Sequence, residues 1–176
     1  MSALTNIFLK YPNPVYIETG AYSGDSIQFA VDANFETIYS IELDPHWYYH
    51  CWGRFLNYPN VHLVYGNSYF MLDWLLRKIN RPITFWLDAH SPDGASDIIN
   101  HATFPLMQEL EAIKKHHIKN HTIIIDDLRC WSIKKYGWDT KVLQNKILEI
   151  NAQYEFIFED GTIPKDILIA KKGNEK

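Results

Sequence analysis

Cysteine is scarce in this chain of 176 residues: Cys51 and Cys130 are its only two, with no CxxC and no Cys/His spacing of the zinc-site kind. A disulfide scaffold and a zinc module are both excluded, and the usage suits a reducing, cytoplasmic compartment. Basic charge is not in excess, since 17 Lys and Arg face 21 Asp and Glu for a net charge of −4. The footprint of a protein that grips a phosphate backbone is missing, so nucleic acid is not an expected partner. No stretch reaches the roughly 18 apolar residues of a membrane span, and MSALTNIFLKYPNP lacks the basic-then-apolar order of an export signal. There is no internal repeat, low-complexity tract or Pro/Gly/Ser linker, so residues 1–176 read as one domain. What is present is ordinary globular material, 47% apolar and 22% charged, with aromatics high at 15%.

Short β-branched runs alternate with segments of helical period, the rhythm of a parallel sheet covered on both faces. Strands are expected at Val15 to Gly20, Thr37 to Leu43, Val61 to Gly66, Ile83 to Ala89 and Thr122 to Asp127. Helices are expected at Gly24 to Ala33, after Asp44 as N-cap with Pro45 at the first helical position, and after Ser68, where Leu72, Leu75, Leu76 and Ile79 keep helical spacing. Two more follow at Thr103 to His116, burying Leu106, Leu110 and Ile113, and at about Thr140 to Asn151. YEFIFEDG and DILIAKK are then joined by a turn too short for a crossover helix, so they form an antiparallel hairpin. The expected fold class is therefore α/β, a Rossmann-like sheet of seven strands that is parallel except for the C-terminal hairpin, with helices on both faces.

In such sheets ligands bind beyond the carboxyl ends of the strands. The first strand ends in Glu18-Thr-Gly20-Ala-Tyr22-Ser-Gly24-Asp25, where glycines let the backbone approach a ligand and a helix N-terminus offers free N–H groups. GxGxxG is absent, because Tyr22 stands where a second close glycine belongs. Glu42, 22 residues after Gly20, is placed to accept hydrogen bonds from both hydroxyls of a ribose, with Leu43 beside it. After the third strand, Asn67 and Ser68 either meet a purine edge or cap the next helix. Asp25 and Ser26 either cap the first of these helices or help hold a ligand carboxylate at its N-terminus.

EtGaysGD, IELD, the GNS after the third strand, FWLDAH and IIIDD together resemble a class I S-adenosylmethionine-dependent methyltransferase over roughly residues 15 to 172. Within the class, FWLDAHSPDG, TFPLMQELEAI and IIIDDLR resemble small bacterial and viral enzymes of glycan or sugar modification, related to the macrocin-type sugar O-methyltransferases. The resemblance implies S-adenosyl-L-methionine as cofactor, held by Glu18, Gly20 and Gly24 around its methionine moiety, by Glu42 at the ribose and by Asn67 near the adenine. Tyr22, Asp25, Ser26, Leu43, Ser68 and Asp88 complete the expected contact set. In the macrocin-type enzymes the matching aspartates hold Mg2+, here Asp88, Asp126 and Asp127, leaving His90 to take the acceptor's proton. Those enzymes carry a second aspartate where this chain has His90.

Asp88 and His90 are two apart and leave one face if the strand persists, and the fifth strand brings Asp126 and Asp127 about 4.8 Å away. The alternative is that Asp126 or Asp127 caps a turn or pairs with Arg129. His46 and His50 have i, i+4 spacing without a third metal ligand, and His116-His117 end a helix whose dipole they complement. With about 14 residues before the first strand, an acceptor site has to come from loops 91–102 and 128–139, where Trp131, Tyr136 and Trp138 offer flat faces for sugar rings.

The leading expectation is transfer of a methyl group to a sugar hydroxyl of a glycan or sugar precursor, with His90 and Asp88 as base and a metal assisting. Alternatives are a catechol-like or amine acceptor, or a noncatalytic binding module on the same fold. An NAD-dependent oxidoreductase ranks last for want of GxGxxG. A homodimer is compatible with the sequence, which does not set the oligomeric state.

Overall fold

The structure is a computed structural model that describes residues 3–89, 105–131 and 139–173. Its centre is one seven-stranded sheet in the order β3-β2-β1-β4-β5-β7-β6. The strands are β1 (Val15–Thr19), β2 (Thr37–Glu42), β3 (Val61–Tyr65), β4 (Ile83–Leu87), β5 (Thr122–Ile125), β6 (Tyr154–Glu159) and β7 (Ile167–Lys172). The first five run parallel, and β7 lies antiparallel to both β5 and β6. Every residue of β1, β4 and β5 is buried, as parallel strands covered on both faces require.

The helices are α1 (Ala3–Lys10), α2 (Asp25–Asp32), α3 (Pro45–Arg54), α4 (Ser68–Leu76), α5 (Leu106–Lys115) and α6 (Thr140–Leu148). Asp44 caps α3 by accepting from the His46 N–H at 2.7 Å, with Pro45 following it, as that pair predicts. One core cluster joins α4, α5 and α6 to Val15, Ile17, Phe85 and Ile123, while on the other face Tyr16, Ile38, Trp86 and Ile124 pack beneath α1 and α2.

Two findings change the outline drawn from sequence. The segment before β1 forms a helix, and its fully buried Phe8 packs on Tyr16 and Trp86 with ring centroids 5.1 and 5.3 Å apart. Strands β4 and β5 also stop two residues short of the expected ends at Ala89 and Asp127, at Leu87 and Ile125, where each apolar run gives way to aspartate and the ladder between them ends. Asp127 then turns into the left-handed region at φ 55°. The same-face argument for Asp88 and His90 therefore fails, since it needed the strand to continue, and His90 itself lies outside the described residues.

Candidate functional site

The strand order reverses between β1 and β4, and the turn leaving β1 faces that switch point. Gly20 (φ 86°) and Gly24 (φ 83°) both adopt backbone that L-residues avoid. A Cβ on Gly20 would stand 3.0 Å from the Asp88 carbonyl oxygen, so this glycine lets the first turn touch the segment after β4. Three things pin the turn from the side of β2 and α3. The Glu42 carboxylate accepts the N–H groups of Ala21, Tyr22 and Asp44 at 2.8, 3.0 and 2.7 Å. Arg54 donates to the Ser23 carbonyl and to Asp25, each at 2.8 Å, and holds the Asp25 carboxyl below its ordinary range. Tyr22, itself left-handed at φ 45°, packs on Trp47 with centroids 4.2 Å apart and the rings tilted by 46°, and stays 60% exposed.

Glu18 lies beneath this turn with no exposed surface, accepting the hydroxyls of Ser40 at 2.6 Å and Tyr16 at 3.0 Å, with Ser26 also favouring its charged form. Burial outweighs those hydroxyls and pushes its carboxyl up to about 7, and the charge of Asp88 adds to the shift. On the opposite face of the sheet Glu109 is in the same condition. It is 1% exposed, raised by burial to about 7 and pushed further by Asp88, while the Ser68 and Thr19 hydroxyls favour its charged form. Among the described residues, Glu109 Oε1 and Thr19 Oγ1 complete no hydrogen bond by strict geometry. Glu109 had no role in the sequence reading. The signal was there, since it occupies an apolar position of the buried stripe Leu106, Glu109, Leu110, Ile113.

Asp88 follows β4, its N–H donating to the Thr19 carbonyl at 3.2 Å. Asp126 is raised to about 7, by burial first and by Asp88 next. The acids whose ligand atoms lie within 4.8 Å of one another are Asp126, Asp127 and Asp166, without Asp88. Asp166, just before β7, is fully buried and was not singled out from sequence. Arg129 enters this group: its guanidinium meets Asp127 at 2.6 Å and pairs with Asp166, whose carboxylate also accepts the Arg129 N–H at 3.0 Å. A magnesium ion demands near-octahedral oxygen ligands. Two of these three carboxylates are already paired with the Arg129 guanidinium, so the set does not fit Mg2+ as arranged.

Of the remaining expected contacts, Asn67 spends its side-chain oxygen capping α4, on the Tyr69 N–H at 2.9 Å. Ser68 is buried against Glu109, and Leu43 stays 43% exposed beside Glu42. Glu18, Gly20, Tyr22, Gly24, Glu42, Ser68 and Asp88 thus gather around one edge of the sheet, whereas Asp25 is turned to Arg54 and solvent. His90, Tyr136, Trp138 and most of both proposed acceptor loops lie outside the described residues. His116 ends α5 as its C-cap, as expected, and is buried there, bonding His121 and the Ile79 carbonyl, each at 2.9 Å.

No protein-family model matches the sequence, and no curated protein matches it. Solved structures do match in shape. An S-adenosylhomocysteine-bound methyltransferase of Podospora anserina superposes with a TM-score of 0.63 at 12% identity, over 99% of this chain and 80% of its own. The O-methyltransferase TomG of Streptomyces achromogenes, involved in tomaymycin synthesis and solved with S-adenosylmethionine, gives 0.62 at 17% identity over 97% and 78%. An rRNA methylase of Streptococcus thermophilus gives 0.60 at 10% identity over 97% and 94%. The fold is thus the Rossmann-like methyltransferase fold, shared by enzymes that differ in what they methylate.

Proposed function

We propose that this chain is an S-adenosylmethionine-dependent O-methyltransferase acting on a sugar hydroxyl of a glycan or sugar precursor. The observation that carries the reading is the glycine turn at the switch point, held open by Glu42 and α3, with buried acids beneath it and Asp88 facing it. A turn held this way leaves the N–H groups that open α2 and the carboxylate oxygens of Glu42 toward a ligand lying across the ends of β1, β2 and β4. Gly20 lets the turn close on the segment after β4 and Gly24 lets it close on Phe55 and Cys51, shaping the surface on which the methionine end would lie, and Glu42 keeps acceptor capacity toward ribose hydroxyls while bracing the turn. In this reading the adenine end lies beside Leu43, just after β2, and Ser68, the first residue of α4.

Bound there, S-adenosylmethionine supplies a methyl group on a sulfonium. The chain's residues orient the acceptor hydroxyl for in-line attack, exclude water and receive the hydroxyl proton. In this reading Asp88 orients the hydroxyl and His90 accepts its proton. The exposed Tyr22 face on Trp47, at the rim of the turn, suits a sugar ring. A metal-assisted version requires Arg129 to withdraw from Asp127.

The test has two stages. Calorimetry with S-adenosylhomocysteine asks whether the cofactor binds at all, and its failure refutes the reading. Transfer of labelled methyl is then measured on sugar nucleotides, oligosaccharides, catechols and amines. Transfer to the sugars supports the proposal, and transfer only to catechols or amines overturns the acceptor class.

A further inference from the structure

We infer that Glu109 is a specificity-determining residue of the cofactor cleft, which together with Asp88 selects the positively charged cofactor over its neutral demethylated product. The inference rests on the S-adenosylmethionine reading above and extends it to a residue of α5. The side chain at 109 lies within a helix stripe whose other members, Leu106, Leu110 and Ile113, are all buried and apolar. An acid at such a position costs stability unless it is fully paired, and this one is not, because its Oε1 finds no hydrogen-bond partner among the described residues.

What surrounds Glu109 places it at the ligand edge. Thr19 is the last residue of β1, Ser68 the first of α4, and Asp88 follows β4, so the carboxyl sits under the point where the strand order reverses. The groups that act on it are two hydroxyls and another carboxylate, with no cation among them. Glu18 approaches Asp88 from the opposite face under the same terms, with only hydroxyls and Asp88 acting on it. Both carboxyls are raised to about 7, by burial first and by the charge of Asp88, with no cation acting on them among the described residues. Two arginines of this end of the sheet are engaged by other acids, Arg129 by Asp127 and Asp166 and Arg54 by Asp25.

An edge with this arrangement favours a ligand that brings positive charge. S-adenosylmethionine carries a sulfonium, an ammonium and a carboxylate, one net positive charge. Loss of the methyl group leaves S-adenosylhomocysteine neutral overall. Glu109 thereby holds the reactant more tightly than the product and eases product release.

The experiment compares the full-length wild type with Glu109→Gln and Glu109→Leu by calorimetry against S-adenosylmethionine, S-adenosylhomocysteine and sinefungin, whose amine supplies a cation without a transferable methyl. Both variants should bind S-adenosylhomocysteine within about threefold of wild type and lose about tenfold for the two cationic ligands. A ratio of S-adenosylmethionine to S-adenosylhomocysteine affinity that stays within about threefold of wild type in both variants overturns the inference. If wild type binds neither ligand, the methyltransferase reading itself falls, a different failure. Glu109→Leu completes the apolar stripe and should melt at or above the wild-type temperature, so a change in the ratio is not a symptom of misfolding.

Discussion

Replacing Glu42 tests both the architecture of the glycine turn and the ribose assignment. Its carboxylate accepts three backbone N–H groups, from Ala21, Tyr22 and Asp44, at 2.7 to 3.0 Å. Hydrogen bonds to a charged acceptor contribute roughly 1.5 kcal/mol or more each, but the Tyr22 and Asp44 donors are part-buried and regain some water. Glu42→Ala should therefore cost about 3 kcal/mol, or about 6 to 12 °C of melting temperature for a chain of this length. Glu42→Gln is not an innocent control. Both oxygens of the acid accept N–H groups, so either amide orientation sets an NH2 against a donor. With its oxygen on the Ala21 and Tyr22 pair, Gln loses the Asp44 bond and about 1 to 2 kcal/mol. Thermal unfolding of the ligand-free chain should rank wild type above Gln above Ala, and an Ala variant melting within about 2 °C of wild type would refute the bracing role. Calorimetry with S-adenosylhomocysteine on the folded Gln variant carries the second half. A loss of about 2 kcal/mol, near thirtyfold in Kd, is expected if the carboxylate also takes the ribose, and unchanged affinity would refute that assignment.

Further outcomes follow from other parts of the molecule. His121 accepts the Ile83 N–H on Nδ1 and meets His116 through Nε2, and burial lowers its pKa from 6.5 to about 3. Between those values the unfolded chain binds the extra proton, so this imidazole's contribution is intact above about pH 6.5 and lost at up to roughly 1.4 kcal/mol per pH unit as pH falls. The wild-type stability curve should drop by about 2 kcal/mol near pH 5 relative to His121→Asn, and parallel curves would refute it. Glu109 runs the opposite way. Folding raises its pKa from 4.5 to about 7, so the folded chain holds the extra proton between those values and the acid destabilises progressively as pH climbs through that window. Denaturation of Glu109→Gln against wild type should show a gain that grows from near zero at pH 4 to a few kcal/mol at pH 8, and a pH-independent difference would count against the buried placement beside Asp88. Gly20→Ala forces a Cβ to 3.0 Å from the Asp88 carbonyl at φ 86°, and should cost about 2 kcal/mol or more by chemical denaturation. EDTA should leave methyl transfer unchanged because Arg129 already compensates Asp127 and Asp166; loss of activity restored by Mg2+ would show that the guanidinium gives way.

Local pattern determined most of this protein's architecture. Five β-branched runs, the helical spacing of Leu72, Leu75 and Leu76, the Asp44-Pro45 start and the short link before DILIAKK suffice for a mixed seven-stranded sheet, because each depends on residues close in sequence. The glycines at 20 and 24 and the acids at 18 and 42 were legible for the same reason, as strand-end residues of a βα unit. Tertiary structure decided what depends on neighbours distant in sequence. The ends of β4 and β5 fall at Leu87 and Ile125, where pairing between them runs out, two residues short of the Ala89 and Asp127 expected from sequence. Phe8 turns the segment before β1 into a packed helix because Tyr16, Phe35 and Trp86 present it with a surface. Arg129 reaches Asp166 across 37 residues of sequence, so the acids after β5 are matched by a guanidinium whose partner only the β5-β7 pairing brings near. Glu109 shows the division most plainly: the stripe put an acid in the core, and only the packing of α5 against the ends of β1 and β4 gave that acid something to face.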